Sequence, residues 1–164
     1  SKDELNAIGI YEVITDSTNK KDETYYINTN EQFDYADGQV TKSWGTPTPK
    51  QLEDRNATDE DGVELNPIVV IEGLKTQKKR IVKQQASGLL EKTDWHNHKA
   101  LDDETYVIPE NVKTYRANVR AKSNEMESQI DACTNVDELK ALYEYTTQED
   151  GTITRPLAEF PEEI

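Results

Sequence analysis

One cysteine, one methionine, two histidines, two phenylalanines and two tryptophans are all that 164 residues hold of those types. With Cys133 alone, no disulfide within the chain is available, and nothing points to an oxidising compartment. Cys133 falls at an apolar helical position, the ordinary setting of a buried structural cysteine. No stretch approaches the ~18–20 apolar residues that a membrane-spanning helix needs. The opening SKDELNAIGIYEV has no basic segment followed by an apolar one, so no signal peptide is expected. Gly-x-Ser-x-Gly is absent, and the seven glycines are scattered rather than gathered in a phosphate-binding loop. Hydrophobic residues make up 34%, against ~45–50% in a typical globular domain. Such a chain builds a small core or shares one with a partner.

What is abundant is acid. The formal net charge is −14, which opposes nucleic acid and anionic membranes alike. One local exception is LKTQKKRIVKQ, with Lys75, Lys78, Lys79, Arg80 and Lys83. On a helix these spread around most of the surface, which suits a solvated face or a dock for an acidic partner. With 33 acidic residues, paired carboxylates arise by chance and mark no catalytic pair. DEDG at residues 59–62 fails as a calcium loop. With Gly62 in the sixth position, the first would be Ala57 and the twelfth Ile68, neither a carboxylate. It reads as a turn.

Residues 1–50 read as β. IGIYEVI is short and β-branched, Tyr25, Ile27 and Thr29 share a face, and Asp37-Gly38 between strand formers is a hairpin signal. GTPTPK then breaks the ladder, because proline has no N–H to donate. Residues 51–56 suggest a short helical turn before an acidic loop. Ile68–Ile71 form an apolar run, after which Leu74, Ile81, Val82, Ala86, Leu89 and Leu90 fall on one helical stripe. Pro109 opens a second helix, where Val112, Tyr115, Val119, Met126, Ile130 and Cys133 keep to one face, interrupted by Lys122. Asn135 and Glu138 spell the cap of a third, short helix. The fold class expected is α+β. A small antiparallel β-rich N-terminal part with a polar linker (1–66) precedes a long helical hairpin and short helix (67–146). An extended C-terminal tail (147–164) follows.

His96 and His98 sit among Asp94, Asp102 and Asp103 at the tip of that hairpin. A metal-dependent hydrolase would place both histidines on one strand face with a carboxylate as third ligand. Between two helices, residues two apart diverge. No metal or other cofactor is therefore expected, and no catalytic residue is assigned. Cys133 on an apolar stripe lacks the basic pocket that activates a thiol.

Three stretches carry a resemblance. LNAIGIYEVI followed by YYINTNEQFDYADGQVTKSW resembles the opening of small tailed-phage proteins, in which an LGIYPV-like strand precedes DGxVTxxW. IVKQQASGLLEKTDW, with YRANVR some twenty residues on, resembles the helical hairpin of tail-fibre-assembly-like proteins. The segment after it and the ending DGTITRPLAEFPE are similar to versions in phages of marine bacteria. The departure is residues 96–104, polar where the common pattern has a proline-rich LPD tip. The resemblance implies a non-enzymatic part of a virion tail, assembled in the host bacterial cytoplasm. Other tail or fibre proteins would be its partners. The runner-up it implies is an assembly chaperone absent from the finished particle. Trp44, Trp95, Tyr115, Arg116, Val119, Met126 and Ile130 are the interface candidates. Near-heptad steps at 112, 119, 126 and 133 suggest a homo-oligomer, such as a trimeric coil.

Overall fold

The computed structural model describes every residue, Ser1–Ile164. Strands dominate the N-terminal part and helices the C-terminal part, so the chain is α+β. It divides into two compact units, Ser1–Lys50 and Gln51–Ile164.

The first unit opens with a helix the sequence pattern did not suggest, α1 (Lys2–Ala7). The Glu4 N–H donates to Ser1 Oγ at 3.3 Å, and the Ser1 amino group donates back to the Glu4 carboxylate at 2.6 Å. That reciprocal cap stabilises a helix of less than two turns. Strands β1 (Val13–Thr15), β2 (Tyr26–Ile27), β3 (Glu31–Ala36), β4 (Gln39–Trp44) and β5 (Thr48–Pro49) follow. The expected hairpin joins β3 to β4, with Asp37 and Gly38 at φ 50° and 75°. Two successive positive φ values give the turn whose twist matches its strands. The sheet is nevertheless mixed. β1 pairs with β4 in parallel, Val13 opposite Val40, in the order β1–β4–β3. Residues 45–50 also rejoin a ladder, as β5 beside β2, with Pro49 at a sheet edge where its missing donor is tolerated. Tyr25, Tyr26 and Trp44 are buried, while every residue of β3 is exposed.

The second unit begins at Gln51, and the acidic segment belongs with the helices. Strands β6 (Arg55–Asn56) and β7 (Val70–Ile71) pair antiparallel and bracket an arm. Residues 51–56 form no helical turn. Their acceptors serve instead as the N-terminal cap of α2 (Leu74–Glu91). Leu74 N–H donates to Gln51 O at 2.9 Å, Lys75 N–H to Leu52 O at 3.1 Å, and Gly73 N–H to Asp54 Oδ1 at 2.7 Å. These are donors a helix start leaves without intrahelical partners. The approach is so close that a Cβ on Gly73 would lie 2.4 Å from the Glu53 carbonyl carbon.

Helices α3 (Asp94–Asp102), α4 (Glu110–Ala132) and α5 (Val136–Ala141) follow, then the small hairpin of β8 (Thr146–Thr147) and β9 (Ile153–Thr154). Helices α2 and α4 run antiparallel, as the ion pairs Lys79–Asp131 and Lys83–Glu127 require. Val119, Ile130 and Leu139 are fully buried. The break expected at Lys122 does not occur. Ser123 takes the stripe position and is buried, while Lys122 turns out to pair with Glu125. Pro109 is the cap residue of α4 rather than its first helical residue. At α5, the Asn135 side chain accepts from Glu138 N–H at 2.9 Å, as the motif predicts. Glu138 reaches one residue further back than expected, accepting from Thr134 N–H at 2.7 Å. No helix is long and apolar enough to cross a membrane.

Candidate functional site at the helical tip

The tip of the α2–α4 hairpin is not a loop but a third helix, α3, and one buried side chain organises it. Arg116 projects from α4, with its side chain 9% exposed. Its Nη1 donates to the Leu90 carbonyl at 2.8 Å and to Thr93 Oγ1 at 2.6 Å. Its Nη2 lies 2.7 Å from Asp94 Oδ1. The guanidinium thus caps the end of α2 and holds the carboxylate that begins α3. A planar fork with several fixed donors is suited to such a junction, whereas an ammonium is not. Of Thr93-Asp94-Trp95 and Tyr115-Arg116, it is Thr93, Asp94 and Arg116 that bond to one another. Tyr115 packs with Ala86 and Val119, and Leu89, Leu90 and Phe160 lean on that cluster.

On the outer side of the tip, Trp95 stacks on His96 with ring centroids 3.7 Å apart. His96 Nδ1 and Tyr106 Oη are 2.5 Å apart, and Lys99 Nζ sits 4.4 Å from the Tyr106 ring centre. Trp95 remains 54% exposed. Beside it lies an open hollow of about 370 Å³, bounded by Thr93, Trp95, His96, Pro109 and Ile164. His96 and His98 both lie within α3, where residues two apart point in different directions. His96 is engaged by Tyr106, and no group of three or more His, Cys, Asp and Glu side chains converges anywhere in the chain.

The interface candidates separate into two kinds. Trp44, Tyr115, Arg116, Val119, Met126 and Ile130 are buried within a single chain, and Trp95 alone is exposed. Trp44 lies in the first unit, at the end of β4, with Lys42 Nζ 5.0 Å from its ring centre. The α4 stripe is buried within the single chain, with Ala86, Leu89 and Leu90 of α2 and Phe160 of the tail against Tyr115 and Val119. Gln129 grips that tail. Its Nε2 donates to Pro156 O at 3.0 Å, and Ala158 N–H donates to its Oε1 at 2.8 Å. Between those two contacts, Leu157 is 2% exposed. Gln129 gave no signal in the sequence, because a polar residue beside an apolar stripe looks like any solvated one.

The basic stretch of α2 is also absorbed internally. Lys75 Nζ reaches Glu53 at 2.5 Å and the Asp131 carbonyl at 3.0 Å, near the C-terminal end of α4. Lys79 pairs with Asp131, Arg80 with Glu72 and Lys83 with Glu127, and Lys78 lies 4.6 Å from the Tyr143 ring centre. The Asp131 carboxylate beside Lys79 pushes that ammonium's pKa above its usual value. Burial pushes the Cys133 thiol upward, away from the thiolate that nucleophilic chemistry needs. No family model matches the chain, and no curated protein or solved structure matches it either.

Proposed function

We propose that the chain is a non-enzymatic structural component of a tailed-phage virion, a connector in the tail, baseplate or fibre attachment that acts by protein–protein assembly. The observation that carries this reading is the pair Thr93-Asp94-Trp95 and Tyr115-Arg116, on which the resemblance to tail-fibre-assembly-like proteins rests. Arg116 bonded to Thr93 and Asp94 supplies a physical reason for those residue types to occur together. A hairpin closed on itself suits a spacer, and its partners are other tail or fibre proteins. A second copy of the chain, if it joins, meets it on a face other than the α4 stripe.

A second reading has an observation of its own. Ile68, Val69, Val70 and Ile71 are all exposed, and an exposed apolar strip suits a tail-fibre assembly chaperone that grips its client transiently. Quantitative mass spectrometry of purified particles beside the cleared lysate separates the two. The connector reading expects the chain in particles at a small-integer ratio to a tail protein. Presence in lysate with absence from particles would overturn it in favour of the chaperone.

A further inference from the structure

The arm between β6 and β7 carries the chain's most unusual surface. Val63, Leu65, Ile68, Val69, Val70 and Ile71 are between 37% and 63% exposed within nine residues. Four of them are consecutive and β-branched, Ile68 and Val69 leading into β7 and Val70 and Ile71 forming it, so apolar side chains line the strand and its approach. The strand also has an open edge. β7 pairs only with β6, and Ala57 N–H donates to Val69 O at 2.7 Å while Val70 stands opposite Asn56. In an antiparallel ladder, alternate residues turn their backbone groups to opposite edges. Bonding at Val69 therefore sends the N–H and C=O of Val70 to the unpaired side. The edge is short, but no further strand pairs with it and residues 68–71 carry no charged side chain that would deter pairing.

Charge then selects the partner. Glu53 and Glu72, at the base of the arm, are neutralised by Lys75 and Arg80. Asp59, Glu60, Asp61 and Glu64, further out, meet no cation within the chain. Asp59 instead folds the turn, accepting from Asp61 N–H at 3.0 Å and Val63 N–H at 2.9 Å. A second copy would set four such carboxylates against four, on chains of net charge −14. A partner with Lys or Arg beside branched apolar residues meets both features of the arm at once.

We propose that the arm of residues 55–71 is a docking element, and that its occupant is an extended, basic segment of a different protein. That segment adds as a strand to the free edge of β7. Its backbone pairs with Val70, its branched side chains cover those of residues 68–71, and its cations face residues 59–64. This is strand addition, in which main-chain bonds give affinity and side chains give selectivity. It rests on the reading of the chain as an assembly protein and names the surface and the partner chemistry.

The test titrates the full ¹⁵N-labelled chain with three synthetic twelve-residue peptides, alternating Lys–Val, Glu–Val and Lys–Ser. The Lys–Val peptide is expected to shift the amides of residues 68–71 and to protect Val70 N–H from exchange. Glu–Val and Lys–Ser are expected to leave them unmoved. The double variant Ile68→Ser with Val70→Ser alters only exposed side chains and should weaken Lys–Val binding by about tenfold or more. The proposal is overturned if Lys–Val leaves those amides unshifted at millimolar concentration, or if either control peptide binds as well. It is equally overturned if the same amides shift when the chain alone is concentrated, which would identify a second copy as the occupant. None of these outcomes depends on whether particles contain the chain, so the two readings fail separately.

Discussion

At the scale of single residues, two glycines in the second unit make opposite predictions. Gly73 lies against the backbone of Leu52 and Glu53, where an added Cβ would overlap main-chain atoms that cannot swing aside. Gly73→Ala should destabilise the chain by about 1–3 kcal/mol, the range of forced overpacking. Gly88, inside α2, has nothing within 4 Å of its would-be Cβ. Gly88→Ala should stabilise by about 0.5–1 kcal/mol, through helix propensity and a less flexible unfolded chain. Urea denaturation of both variants checks the pair. Arg116 offers a second test. Arg116→Met leaves Asp94 and Thr93 without their donor, at a cost of about 2–3 kcal/mol, moderated because Asp94 is partly in water. Arg116→Lys should recover little, since one ammonium does not span the Leu90 carbonyl, Thr93 and Asp94 together. Full stability in Arg116→Lys would show that charge alone, not the fork, holds the tip.

At the scale of elements, the long helices and the capped α5 were legible, and the short helices α1 and α3 were not. Val112, Tyr115, Val119, Met126 and Ile130 repeat at helical spacing over many turns, and that signal survives single exceptions such as Lys122. The Asp37-Gly38 turn was equally plain, because few residue pairs accept two positive φ values. α1 and α3 escaped notice because short helices owe their stability to caps and tertiary ties rather than to an apolar stripe. Parallel pairing of β1 with β4 was invisible because no local turn dictates it. Of the tip, the sequence marked Asp94, Trp95 and Arg116, but not that Arg116 joins α2 to α3. Truncation of the α4 stripe should be costly. Val119→Ala or Ile130→Ala is expected to lose about 1–4 kcal/mol, whereas Ile81→Ala, 45% exposed, should change stability by less than about 1 kcal/mol. The caps add a pH dependence. The Gly73 N–H and then the Thr76 hydroxyl hold the Asp54 carboxyl below the usual carboxylate range, and Thr134 does the same for Glu138. A carboxylate depressed in the folded state contributes its stability above its unfolded pKa of about 4, and loses it as the pH falls through the lower folded value. Thermal melts should therefore fall off as the pH drops below about 4, and Asp54→Asn should make that decline shallower.

At the scale of the whole molecule, the unit Gln51–Ile164 contains its own core, its helix caps and the partners of the α2 cations. Residues 51–164 produced alone should unfold cooperatively and keep the helical circular dichroism of the full chain. Loss of helix on removal of residues 1–50 would show that the first unit is required for the second to fold. The low apolar content finds a partial explanation here. Many aromatic and branched residues that a larger core would bury remain on the surface in both units, among them Phe33, Tyr35 and residues 68–71. Such a surface fits a protein completed by neighbours, while the α4 stripe that first suggested a coiled coil is satisfied internally. That internal closure is the claim on which the account of assembly turns. Hydrogen exchange of the free chain across a dilution series tests it most directly. Amides from Val112 to Ile130 should remain protected to the same degree from the highest concentration to the lowest. Protection that fades on dilution would show that another copy, not α2 and the tail, covers the stripe.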